Sequence, residues 1–288
     1  MKFICETKLS KTLKRLFLLL SGVMVLAACS AEKTLRADQA TTAVVAPQSV
    51  VLKPNPAYST PAYASPSAQN PATGSLPSNF SPDIGISFSS VRNEGNYIAL
   101  TFDDGPHPKN TPRLLDMLRQ RNIKATFYVI GNSVNLYPSI ARRIVAEGHE
   151  IGNHTYNHPN LTKLSNTKVR QELDTTREAI IRATGVQPRT MRPPYGALRT
   201  SQREMIHSEY GYPTIMWDVD PLDWKRPGTA VVKSRILNGT RSGSIVLAHD
   251  LHSTTVDAMP TTLDALLAKG FRFVTVSQLL KMKEAQLR

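Results

Sequence analysis
The residues able to do chemistry begin with a carboxylate pair in Thr101-Phe102-Asp103-Asp104-Gly105-Pro106, at the end of an apolar run and directly before a Gly-Pro breaker. Such a pair at a strand's carboxyl end can divide its labour, one acid binding a metal and the other taking a proton. Alone, the pattern also suits a polar turn in which Asp and Gly serve the backbone. His154-Thr155-Tyr156-Asn157-His158 adds two imidazoles four residues apart. On a helical turn that spacing directs both toward one divalent ion. Further along stand Arg192-Pro193-Pro194-Tyr195, then Asp220 with Asp223-Trp224, then Leu247-Ala248-His249.

The elements that must position these groups show in the apolar pattern. Runs suited to strands recur at 97–101, 125–130, 149–152, 189–192, 213–219, 244–249 and 272–276. Amphipathic segments lie between them. Thr111-Pro112 predicts a helix with a cap and an early proline, and Leu114, Leu115 and Leu118 form its buried stripe. The longest helix is expected from about Asn166 to Thr184, with Val169, Leu173, Thr176 and Ile180 on one face and Gly185 closing it. Strand–helix alternation repeated this often argues for a parallel α/β sheet or barrel, and on pattern alone a doubly wound sheet stays open. Each reactive group follows a strand, where a β/α barrel builds its active site.

In this order the five groups resemble the polysaccharide deacetylases, carbohydrate esterase family 4, with its NodB homology domain: TFDDGP at 101–106, H-x3-H at 154–158, R-P-P-Y at 192–195, D-x-x-D-W at 220–224 and L-x-H at 247–249. The resemblance covers about 98–285, and no motif position departs from it. It implies a distorted, incomplete (β/α)7 barrel, which agrees with the seven runs. It also implies a zinc-dependent hydrolase, with other divalent ions such as cobalt as substitutes. By the same resemblance Asp104, His154 and His158 are the metal ligands, Asp103 is the general base, and Arg192 holds Asp103 in place. The backbone N–H of Tyr195 would stabilise the oxyanion. His249 resembles the acid that protonates the departing amine, and Asp223 the partner that orients it and raises its pKa. Leu247 and Trp224 resemble walls of a pocket for the acetyl methyl.

Residues 1–29 read as an address. Lys8, Lys11, Lys14 and Arg15 precede an apolar core at 16–26 that is too short to span a bilayer comfortably. Leu26-Ala27-Ala28-Cys29 resembles the lipobox of bacterial lipoproteins, which implies that Cys29 becomes a lipidated first residue; Ser30 after it resembles an outer-membrane signal. Cys5 and Cys29 are the only cysteines, so no disulfide is expected in the mature fold. Residues 30–90, rich in Pro, Ala, Ser and Thr, read as a flexible tether with an r.m.s. reach of about 40–45 Å. Residues 91–288 then form the catalytic domain, ample for one core. The expected location is the cell envelope, lipid-anchored on the periplasmic face of the outer membrane.

The leader carries five basic and one acidic side chain and the tether three of each, so +9 of the formal +13 belongs to 91–288. A basic domain favours anionic partners. No basic-aromatic motif accompanies the charge, so nucleic acid is not an expected partner. The expected reaction is removal of N-acetyl groups from N-acetylglucosamine units of an envelope polysaccharide, with peptidoglycan first, since its stem-peptide carboxylates suit the charge. Chitin oligosaccharides, poly-N-acetylglucosamine and O-acetylated xylan are alternatives, as are a non-catalytic carbohydrate-binding protein and a small-amide hydrolase. Loss of a metal ligand, Asp103 or His249 would favour the binding protein, and none is missing. Among the remaining histidines, which are assigned no role, His107 is read as a loop residue with substrate contact as its one alternative, His149 as structural, His252 as a solvated loop residue and His207 as a helix residue. Met191 and Trp217 are read as core.

Overall fold
The computed structural model describes residues 85–286, with side chains through Lys283. The expected leader and residues 30–84 of the expected tether lie outside the described residues. From the amino end the chain forms β1 (Ser87–Phe88), β2 (Tyr97–Asp103), α1 (Asn110–Gln120), β3 (Thr126–Val129), α2 (Gly131–Leu136), α3 (Pro138–Ala146) and β4 (Glu150–Asn153). It continues through α4 (Asn166–Thr184), α5 (Thr200–Tyr210), β5 (Thr214–Ile215), α6 (Thr229–Gly239), β6 (Ile245–His249), α7 (Ser253–Ala268), β7 (Arg272–Phe273) and α8 (Val276–Gln286).

β2 is the centre because its sequence, YIALTFD, is apolar without alternation, and every residue after the first is buried. That pattern belongs to a parallel strand covered on both faces. The order is β4-β3-β2-β6, all parallel, with β7 pairing the first residues of β2. Two registers matter for the site: Thr101 lies opposite Leu247, and Asp103 lies opposite His249. Elsewhere the wall thins. β1 pairs β5, and single-residue parallel bridges join Asn153 to Met191, Met191 to Thr214 and Val219 to Val246. The result is an incomplete (β/α) barrel, with continuous pairing on one side only.

The helices follow the apolar stripes. Leu114, Leu115 and Leu118 are fully buried beneath α1, and each such burial contributes about 2 kcal/mol. That stripe outweighs the cap, which differs from expectation. Lys109 occupies the N-cap position without a side-chain bond, and Thr111 lies inside the helix. The His107 Nδ1 instead accepts from the backbone N–H groups of Lys109 and Asn110, at 3.2 and 3.1 Å, so His107 serves the helix end. α4 matches its predicted bounds, with Ser165 accepting from the Lys168 N–H and Gly185 left-handed at φ 73°. Phe88 is buried and β1 pairs with β5, so the fold starts ahead of residue 91, inside the stretch read as tether.

Candidate active site
Adjacent side chains on a strand point to opposite faces. Asp103 and Asp104 reach the same cavity because the strand ends between them: Asp104 is left-handed at φ 73°, a conformation that Asp tolerates better than most residues. Gly105 follows under a tight constraint. A Cβ there would lie 2.6 Å from both carboxylate oxygens of Asp250. Asp250 is fully buried, accepts a hydrogen bond from the Thr111 hydroxyl, and is pushed up by burial to about 7.

His154 and His158 are not on a helical turn, as their spacing predicted. They flank a loop in which Thr155 and His158 are left-handed, at φ 68° and 57°. Each such residue costs about 1–2 kcal/mol, so the loop needs external bonds. Asn153 Oδ1 accepts from the Thr155 N–H at 2.9 Å, and Thr155 Oγ1 accepts from the His158 N–H at 3.1 Å. Glu172 on α4 accepts from the N–H groups of Tyr156 and Asn157, each at 2.8 Å.

The loop brings His154 Nε2 to 3.4 Å and His158 Nε2 to 3.3 Å from Asp104 Oδ1. His154 donates through Nδ1–H to the Arg192 carbonyl at 2.7 Å, which leaves the Nε2 lone pair facing the carboxylate. Asp104 Oδ1 is buried and has no hydrogen-bond partner among the described residues. One carboxylate and two imidazoles converging on one point, once the imidazoles are neutral, is the donor set of a divalent cation. Ligands about 2.0–2.2 Å from a tetrahedral ion lie about 3.3–3.6 Å apart, and both Asp104–imidazole distances match that spacing. Among the described residues, this is the one cluster of three potential ligand side chains, all within 4.8 Å of one another. Burial alone would raise the Asp104 pKa, but His154, then His158 and His249, bring it down to about 2.

Arg192 is fully buried and holds the other carboxylate. One guanidinium nitrogen donates to Asp103 Oδ1 at 2.8 Å and to the Thr101 hydroxyl at 2.6 Å; the others donate to the carbonyls of Ile215 and Met216. Its guanidinium lies 4.4 Å from the Tyr128 ring centroid. Across the pairing of β2 with β6, Asp223 gathers four donors: His249 Nδ1–H and N–H at 2.8 Å, the Thr255 hydroxyl at 2.8 Å and the Trp224 N–H at 3.0 Å. Burial would lower the His249 pKa, yet the bond and charge of Asp223 overcome it and push it up to about 9.

Asp103, Asp104, His154, His158 and His249 line one cavity of about 450 Å³, while Arg192 and Asp223 support it from behind the lining. Leu247 forms buried wall, while Trp224 and Tyr195 stand at the mouth, 50% and 68% exposed. Tyr195 is left-handed at φ 61°, and its ring packs edge-on against His158 at 4.7 Å. Trp217, read as core, instead lines this cavity, as does Asp220. His252 is half-buried with its ring 6.1 Å from that of His249, rather than on a solvated loop. His107 is absent from the lining. His149 is structural, accepting from the Ala125 N–H at 3.1 Å. It lines a second hollow of about 300 Å³, beside Glu150 at the amino end of β4 and without a converging ligand set, where barrels invest in stability. Asp250, Glu172 and Trp217 escaped the sequence reading because they contribute through packing and backbone contacts that no spacing announces.

The polysaccharide deacetylase family model matches residues 90–215. The peptidoglycan-N-acetylglucosamine deacetylase PgdA of Listeria monocytogenes is 44% identical over 182 residues, 63% of this chain but only 38% of that protein. A peptidoglycan-N-acetylglucosamine deacetylase of Bacillus cereus is 39% identical over 194 residues, 66% of this chain and 70% of that protein. The crystal structure of the Bc1960 peptidoglycan N-acetylglucosamine deacetylase superposes with a TM-score of 0.64 at 37% identity, covering 66% of this chain and 91% of that one. Sequence identity at this level over most of a relative's length leaves one assignment: the chain belongs to the polysaccharide deacetylase family.

Proposed function
We propose that this chain hydrolyses the N-acetyl groups of N-acetylglucosamine units in peptidoglycan, releasing acetate and leaving free amines. The observation that carries this reading is the convergence on one cavity of the Asp104, His154 and His158 cluster with two braced proton carriers, Asp103–Arg192 and His249–Asp223. The first group is the donor set of a divalent cation, with zinc favoured by one carboxylate and two imidazoles and cobalt a substitute. When bound, the cation supplies Lewis acidity to the acetyl carbonyl and to the attacking water.

Asp103 takes the proton of that water. Its Oδ1 is committed to Arg192, so Oδ2 is the oxygen left for the transfer. The water oxygen bonds to the acetyl carbon, and the charge gathering on the carbonyl oxygen is met by the Tyr195 N–H. His249, with Nδ1–H fixed on Asp223, presents Nε2 to the cavity and gives its proton to the amine nitrogen as the C–N bond breaks. Leu247 and Trp224 enclose the methyl group. A binding protein without chemistry would have no use for both braced carriers.

The acid works only while protonated, so turnover falls as pH rises through the His249 pKa, about 9 in the absence of a cation and lower when one shares the cavity. Asp223→Asn removes the raising charge and leaves burial, which lowers the pKa. The basic limb of the rate profile is expected to move down by a unit or more, with zinc content unchanged; an unmoved limb refutes the pairing. Substrate is tested by mass spectrometry of peptidoglycan, chitin oligomers, poly-N-acetylglucosamine and acetyl-xylan after incubation with zinc-loaded enzyme. Loss of acetyl from glucosamine of peptidoglycan fragments is expected, and preference for a neutral polymer rejects that choice.

The same reading places the enzyme in the cell envelope, with Cys29 lipidated and the domain tethered on the periplasmic face of the outer membrane. A single acyl chain binds marginally, so the several chains of a lipoprotein make a firm anchor. Cys29→Ser is expected to release the protein from the membrane fraction or stall its processing, with turnover on dissolved oligosaccharides unchanged. A wild-type mature protein that begins elsewhere and is wholly soluble refutes the anchor alone.

A further inference from the structure
Glu172 is spent entirely on the loop that carries the two histidines. Its Oε2 accepts from the backbone N–H groups of Tyr156 and Asn157, each at 2.8 Å, and its Oε1 accepts from Asn157 Nδ2 at 3.2 Å. Among the described residues no lysine or arginine pairs with it, so it is not one more salt bridge on an exposed helix face. The next residue reinforces the grip: the Leu173 carbonyl accepts from Asn153 Nδ2 at 2.9 Å. α4 is itself immobilised by fully buried Val169, Leu173 and Ile180.

We propose that Glu172 is the positioning residue that holds the 154–158 loop in its metal-competent shape, an inference that rests on the metal reading above. The loop has to keep Thr155 and His158 left-handed, and its internal bonds reach only the N–H groups of Thr155 and His158. The two amides between them point outward to a single carboxylate oxygen. Hydrogen bonds to an ionised acceptor are about twice as strong as neutral ones, so this oxygen is a strong clamp on the segment joining the histidines. Without it the amides turn to water, and the segment keeps only the bonds that the Thr155 and Tyr156 carbonyls accept from the Gly131 and Asn132 N–H groups, at 3.0 and 3.1 Å, so its His158 end is free to relax. His158 Nε2 would then leave its place 3.3 Å from Asp104. His154, held by the Arg192 carbonyl, would stay.

The test is zinc affinity of the purified full-length protein in detergent, read by competition with a chromophoric chelator, beside thermal unfolding and amide exchange at Tyr156 and Asn157. Glu172→Ala is expected to weaken zinc binding by about 10–100-fold and to speed exchange at both amides. Glu172→Gln keeps a carbonyl oxygen for the amides and should recover most of the affinity. Glu172→Asp, one methylene short, should resemble Ala and covers the case in which Ala does not fold. Asn135→Ala removes the bond to the Tyr156 hydroxyl on the same loop, together with the bond that Asn135 Oδ1 accepts from Arg182, and should leave affinity unchanged. A folded Glu172→Ala or Glu172→Asp protein with wild-type affinity overturns the inference alone. A wild-type chain that binds no zinc overturns it together with the metal reading.

Discussion

Asp104→Asn is expected to abolish zinc binding and to lower deacetylation by about a thousandfold or more. The carboxylate is the only anionic member of the ligand cluster and lies 3.3–3.4 Å from both imidazole nitrogens, so it is the ligand that both imidazoles share as a neighbour. Losing the Lewis acid forfeits several kcal/mol of transition-state stabilisation, and each 1.36 kcal/mol is tenfold in rate. Asn is the better probe than Ala, because it tolerates the left-handed backbone at 104 and keeps the turn intact. His158→Ala should do the same. Metal content and turnover measured on one preparation decide the matter. Chelated wild-type protein, checked to be metal-free, should lose activity in parallel, and a full rate there would end the assignment.

Asp103→Asn is expected to slow turnover by about 10²–10⁴-fold while zinc stays bound. The proton acceptor is lost, but the amide oxygen can still accept from Arg192. Asp103→Asn and Asp103→Ala both leave a fully buried guanidinium without its anionic partner, and breaking such a pair costs about 3–5 kcal/mol of stability. Both proteins should therefore melt below the wild type, the Asn protein less so because its amide oxygen still accepts from Arg192. An Asn variant that retains the wild-type rate would remove Asp103 from the chemistry.

The site was legible in the sequence because parallel strands place all their carboxyl ends at one end of the barrel. Five motifs scattered over about 150 residues had one place to meet. The wall between them was less legible. The run at 189–192 pairs only through Met191, since Pro188, Pro193 and Pro194 bring no N–H to a ladder. The run at 213–219 changes partners, from β1 and Met191 at one end to β6 at the other, and Trp217 at the changeover lines the cavity. The histidine spacing announced convergence correctly but through the wrong backbone, since four residues in a clamped loop can close the distance as well as a helical turn.

The lateral pairing of Asp103 with His249 acts as a fixed gauge. Neighbouring strands are about 4.8 Å apart whatever decorates their ends. The proposed proton acceptor and proton donor therefore stand one rung apart, a gap scaled to a single planar amide rather than to a sugar ring. Loops beyond the strands can be lengthened, shortened or recharged to admit another polymer without touching that gap. A one-residue slip of β6 would instead turn His249 to the opposite face. Divergence in what such a scaffold accepts is thus cheap, while divergence in which bond it cleaves would require re-registering its central strands.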